Sequence, residues 1–166
     1  MAYYDLQPAE RAALSSKIVE QILSDLQRKT LNHFISIFSD HDTYIRKAGY
    51  LAIGKIYKEG SHALAPVIKA LSKLFEHEHY HVRQTVVNAA GEIGKTNFES
   101  VQSFFDKGLF DAHHTVRNAV IGSVKKMGEK NPIPVLEWAQ EYLHHPDKEI
   151  RREICHGIEL RGRTHP

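Results

Sequence analysis

An aliphatic residue followed by arginine recurs along the chain as Ile45-Arg46, Val82-Arg83, Val116-Arg117 and Ile150-Arg151, with the arginines 37, 34 and 34 residues apart. A period of this length restricts the fold to architectures in which one supersecondary unit stacks on copies of itself. The register persists downstream. Seven residues after each arginine come Ile53, Ala90, Val124 and Ile158, and eleven after the last three come Gly94, Gly128 and Gly162.

Within a unit the apolar spacing is helical. Val82, Val86, Ala89, Ala90 and Ile93 form one stripe, as do Val116, Val120, Val124 and Met127. A second helix precedes each of these, because Val101, Phe104 and Leu109 match Val135, Trp138 and Leu143 one period later. Asn131-Pro132, Gly60-Ser61 and His145-Pro146-Asp147 supply turns or helix starts, and strand signals are absent. The spacing predicts helices over 8–27, 30–39, 42–58, 62–76, 79–95, 98–110, 113–129, 132–144 and 147–162. This is an all-α, right-handed superhelix of about four helix pairs, repeats 30–58, 62–95, 98–129 and 132–163, in one domain over 1–166. The segment 8–27 lies outside the register, with Leu14, Ile18, Ile22 and Leu26 on one side and Arg11, Lys17, Glu20 and Asp25 on the other. It is expected to cap the amino-terminal end, with a dimerisation helix as the rival. At the other end His165-Pro166 falls where the next unit should open, 34 residues after Asn131-Pro132. That predicts either a piece of a longer solenoid or a homodimer through a bare apolar side of helix 147–162.

A hydrophobic content of 42% and a charged content of 25% are ordinary for a globular protein. No apolar run is long enough to span a bilayer and the first residues do not read as a signal peptide, so a cytoplasmic protein is expected. A single cysteine, Cys155, excludes an internal disulfide or a thiolate metal cage and is expected to pack inside its helix.

The polar turn followed by Ile-Arg, as in Asp42-x-x-Ile45-Arg46 and Asp147-x-x-Ile150-Arg151, resembles the HEAT repeat in its short, lyase-type form over residues 30–163. His79 and His113 replace the acidic residue in two units. Tetratricopeptide arrays share the 34-residue period, but their Trp, Leu-Gly and Tyr signature is missing here.

The resemblance implies that the second helix of each pair lines a concave inner surface. The face of those helices turned from the buried stripe then carries Lys47, Leu51, Gly54 and Lys58; Gln84, Asn88, Gly91 and Lys95; Asn118, Gly122, Lys125 and Glu129; and Arg152, His156, Glu159 and Arg163. Six cations against two carboxylates, in a chain of formal charge +2, predict an acidic protein segment in the groove, with a nucleic-acid backbone as the alternative. The repeat arginines Arg46, Arg83, Arg117 and Arg151 are expected to be structural, reaching toward the neighbouring unit. Histidines crowd the turns at His41, His77, His79, His81, His113, His114, His144 and His145, where polar capping is expected before metal binding. No phosphate loop, zinc-protease motif, nucleophile elbow or cofactor motif occurs, so no cofactor or catalytic residue is assigned. Two enzyme classes remain within what the resemblance implies, DNA alkylation-repair glycosylases and phycobilin lyases. The single Trp138 sits at a core place, and Glu129 and Glu159 lack an aromatic companion for a flipped base.

Overall fold

The computed structural model describes residues 2–164, with side chains as far as Glu159. The helices are α1 (Pro8–Arg28), α2 (Asn32–Phe38), α3 (Thr43–Glu59), α4 (Leu64–Leu74), α5 (Tyr80–Gly94), α6 (Gln102–Gly108), α7 (His114–Lys130), α8 (Pro132–Tyr142) and α9 (Lys148–Thr164), with no strand among the described residues. Expected and observed boundaries agree closely except in the outer helices. The segment 98–101 is a turn, in which the Asn97 side chain accepts the Ser100 N–H, so α6 has only 7 residues. The surplus of three residues in the first period is taken up by a 3-10 turn, Ser61–Ala63, before α4.

Helices α1, α3, α5, α7 and α9 pack in sequence as an inner layer, and α2, α4, α6 and α8 rest on its outside. The outer helices meet mainly through rings, Phe75 with Phe104 and Phe105 with Trp138. The inner helices pack directly on one another, whereas the outer ones rest mainly on the inner layer. One continuous core runs from Ile18 and Ile22 through Ile53, Ile93 and Val124 to Ile150 and Ile154. Each such side chain stabilises the fold by roughly 1.5–3 kcal/mol, and neighbouring units share that gain.

Three expectations need correction. Asp25 does not lie on a polar outer side but is 2% exposed, where it accepts from the Phe34 N–H at 2.9 Å and the Thr30 hydroxyl at 2.8 Å. It thereby caps the start of α2 from inside the core. Cys155 is exposed, because Ile154 takes the inward place one step round the helix. The bare apolar side expected on the last helix is not found among the described residues: Ile150 and Ile154 are buried, and Arg152, Cys155, His156 and Glu159 face out.

Each helix pair is closed by its repeat arginine. Nη1 of Arg46, Arg83, Arg117 and Arg151 donates to the carbonyl six residues back, that of Asp40, His77, Asp111 and His145. Three of them also reach the carbonyl five back. These carbonyls follow the carboxy-terminal ends of the outer helices, where a cation is favourable. The guanidinium therefore reaches back within its own unit. Among the described residues only Arg83 also crosses to the next one, where Nε and Nη2 hold the Asp111 carboxylate at 2.9 and 3.0 Å. Burial would raise the Asp111 carboxyl, but these bonds and the His113 N–H outweigh it and leave it below the ordinary carboxylate range.

A second device repeats in the same turns. Asp40, His77, Asp111 and His145 accept the N–H two residues on, through Oδ1 or Nδ1, at 2.8–3.1 Å. Asp42, His79, His113 and Asp147 then do the same for the first turn of each inner helix, at 2.8–3.2 Å. Aspartate and histidine interchange because Oδ1 and Nδ1 stand at the same covalent distance from Cβ. A histidine can accept there only as the neutral ring protonated on Nε2.

Inner helices approach closely at glycines. A methyl group on Gly91 would stand 2.7 Å from Ser123 Oγ and 2.9 Å from Ser123 Cβ, and one on Gly54 would stand 3.1 Å from Glu92 Cβ. These two residues are therefore buried contact points, not parts of an open groove face.

Two outcomes are expected. Gly91→Ala should lose about 1–3 kcal/mol through overpacking, whereas Gly122→Ala, with nothing within 4 Å of its added carbon, should be neutral or gain up to about 1 kcal/mol in helix propensity; urea unfolding compares them directly. His113 is held below the ordinary imidazole range, first by desolvation and then by the charges of His114 and Arg83. Its contribution to stability is complete above the unfolded value of about 6.5 and is lost as pH falls through the lower folded value. His113→Asp should keep the cap and flatten the loss of melting temperature between about pH 7.5 and 5; an unchanged slope would remove the cap from the account.

Candidate functional site

The inner layer presents its side chains in clefts between successive helices. The first, about 390 Å³, lies between α1 and α3 and is lined by Arg11, Ser15, Ser16 and Val19 on one side and by Tyr44, Lys47, Ala48, Leu51, Ala52 and Lys55 on the other, with Tyr3 and Tyr4 at one end. Three cations line it and no carboxylate does. A small cleft of about 120 Å³ follows between α3 and α5, lined in part by Lys47, Tyr50, Gln84 and Asn88. Gln84 Oε1 is buried without a hydrogen-bond partner. Between α7 and α9 a third, of about 470 Å³, brings together Asn118, Ile121, Gly122, Lys125, Arg152, Glu153 and His156.

The residues expected on the concave face divide accordingly. Lys47 lines the first two clefts, Gln84 and Asn88 the second, and Asn118, Lys125, Arg152 and His156 the third. Lys58 is exposed and lines none of them. Lys95 is spent on Glu92, whose carboxylate it meets at 2.6 Å beside Gly54, so its charge is neutralised within the fold. Lys125 Nζ donates to His156 Nε2 at 3.4 Å, and His156 Nδ1 lies 3.5 Å from Glu159. The side chain of Arg163 lies outside the described residues. The sequence reading missed Arg11 and Lys55, which flank Lys47, and Lys126 of α7, whose ammonium lies over the Tyr50 ring of α3 at 5.4 Å, with α5 between the two helices. Arg11 stands outside the repeat register, so periodicity gave it no place on the inner face.

Electrostatics differ along the layer. The third cleft holds Glu153, whose Oε2 is buried and unpaired. Burial pushes its carboxyl up, against the pull of Arg117. Nor are cations confined to the inner layer: Lys29, Lys69 and Lys73 surround an apolar cleft of about 350 Å³ between α4 and the end of α1 with residues 29–31, whose one carboxylate is the buried Asp25.

The histidine-rich edge is a stack of rings. Tyr80 and His113 lie parallel with centroids 3.8 Å apart, and His113 stacks on His114 at 4.7 Å. His81 is held below its ordinary value, by burial first and then by the charge of Arg46, and its Nδ1 is buried without a partner. Among the described residues no group of three or more His, Cys, Asp or Glu is placed to hold a metal ion.

No family profile and no curated protein matches the chain. Among solved structures it is similar to computationally designed armadillo repeat proteins for modular peptide recognition, at 20% identity over 93% of this chain and 76% of that one, with a TM-score of 0.37. The fold is a helical repeat solenoid, defined by this chain's own helix pairs. Among the described residues no helix is long and apolar enough to cross a membrane.

Proposed function

We propose that this is a HEAT-type interaction module whose concave face holds an acidic segment of a partner protein. The observation that carries the reading is the cleft between α1 and α3, where Arg11, Lys47 and Lys55 converge without a lining carboxylate. Lys125 and Arg152 extend the basic character to the far cleft. A phosphate backbone running along the face would pass Glu153 and Glu159, so a short segment that reads local charge fits better than a continuous polyanion.

Charge reversal tests it. Lys47→Glu combined with Lys125→Glu and Arg152→Glu should weaken binding of a fluorescein-labelled glutamate-rich peptide by at least about tenfold, which is about 1.4 kcal/mol. The three side chains are partly or fully exposed, so helical circular dichroism and the melting temperature should hold. Lys95 is left in place because of its pair with Glu92. Undiminished binding by the triple variant would sink the reading. Single-stranded DNA that binds better than the peptide, with affinity falling steeply between about 50 and 200 mM salt, would move the function to nucleic acid.

A further inference from the structure

The cleft between α1 and α3 is built from more than charge. Exposed large apolar or aromatic residues are few in this chain, yet three of them border this one cleft: Tyr4 at 59% exposure, Tyr44 at 37% and Leu51 at 45%. Val19, Ala48 and Ala52 supply the rest of its apolar lining. Isolated exposed residues of this kind need no account, but a cluster rimmed by cations marks a binding surface.

The aromatic end is fixed in place. The Tyr3 N–H donates to Asp42 Oδ2 at 2.7 Å, while Asp42 Oδ1 caps α3. This carboxyl is held below its ordinary range, by the Tyr3 bond first. Tyr4 and Tyr44 then meet edge to face with centroids 4.1 Å apart, and the Arg11 guanidinium lies over the Tyr4 ring at 5.5 Å. The carboxylates close in sequence are engaged by backbone: Asp5 accepts from the Ala2 N–H, Glu10 from the Gln7 N–H, and Asp42 from two. Lys47, Lys55 and Arg11 line the cleft, with Glu59 one helical turn beyond Lys55 and outside the lining.

The geometry points to an anchor site in this cleft for one apolar side chain, leucine or phenylalanine, flanked on its own chain by carboxylates. The side chain would rest on Leu51 and Val19 beside the Tyr4–Tyr44 pair, and the carboxylates would meet Lys47, Lys55 and Arg11. The site rests on the proposed acidic partner and adds what that partner must carry at the amino-terminal end of the groove. A protein segment suits it better than a nucleotide, because the Tyr4 and Tyr44 rings are already packed edge to face on each other and offer no open pair of faces for a base.

The test uses the full chain and two labelled peptides of equal charge, one with a single leucine among glutamates and one with serine in its place, measured by fluorescence anisotropy at low salt. Wild type should bind the leucine peptide at least about tenfold more tightly. Leu51→Asp should abolish that preference while both peptides still bind, and Lys55→Glu should weaken both. Both substitutions are at exposed positions, and unchanged circular dichroism verifies folding. Equal binding of the two peptides by wild type, or a preference that survives Leu51→Asp, overturns the anchor site and leaves the acidic partner standing. No binding of either peptide overturns both. Displacement of the leucine peptide by single-stranded DNA assigns the cleft to nucleic acid, and a dimer lost in Leu51→Asp assigns it to a second copy of this chain; either result overturns the proposal.

Discussion

The geometry of every unit depends on one charged hydrogen bond, from the repeat arginine to the backbone carbonyl six residues before it. A helix pair joined by a few residues could splay through a wide range of angles. The guanidinium ties the end of the outer helix to the first turn of the inner one, and it does so in each of the four units. The contact suits arginine rather than lysine where Nη1 meets the carbonyls and other guanidinium nitrogens remain free to donate, as Nε and Nη2 of Arg83 do to the Asp111 carboxylate. Once the pair angle is set, the inner stripe of one unit meets that of the next, and the core can propagate.

The interlocking caps serve the same turns from the other side. Two side chains in alternating positions satisfy backbone donors that would otherwise be orphaned where the chain enters the inner helix. Asp40 with Asp42, His77 with His79, Asp111 with His113 and His145 with Asp147 are four spellings of one arrangement. This gives four of the turn histidines, His77, His79, His113 and His145, a capping role. It also gives the four junctions unequal sensitivity to acid.

Much of the fold was legible from the arginine period and the 3.6-residue stripe, because both record burial directly. What the sequence could not show was which polar-face residues the neighbouring helix would cover. Gly54 and Gly91 share a face with Lys47 and Gln84 in helical projection, yet they are where α5 and α7 press against their neighbours. Lys95 reads as a free cation until Glu92 is found beneath it. The capping role of histidine was expected from its place in the turns, but the tautomer that allows it has no signature in the sequence. The aromatic end of the first cleft was invisible because Tyr3 and Tyr4 stand outside any repeat, and only the bond to Asp42 carries them to α3.

The contact between Lys126 and Tyr50 has a mechanical meaning. These residues belong to helices separated by a third, so their meeting is a chord drawn across the arc of the solenoid. A stack whose units touch only their neighbours bends like a spring, each junction giving a little. The Lys126–Tyr50 contact adds to such a stack a tie between units that are not neighbours, worth about 0.5–1 kcal/mol at an exposed site.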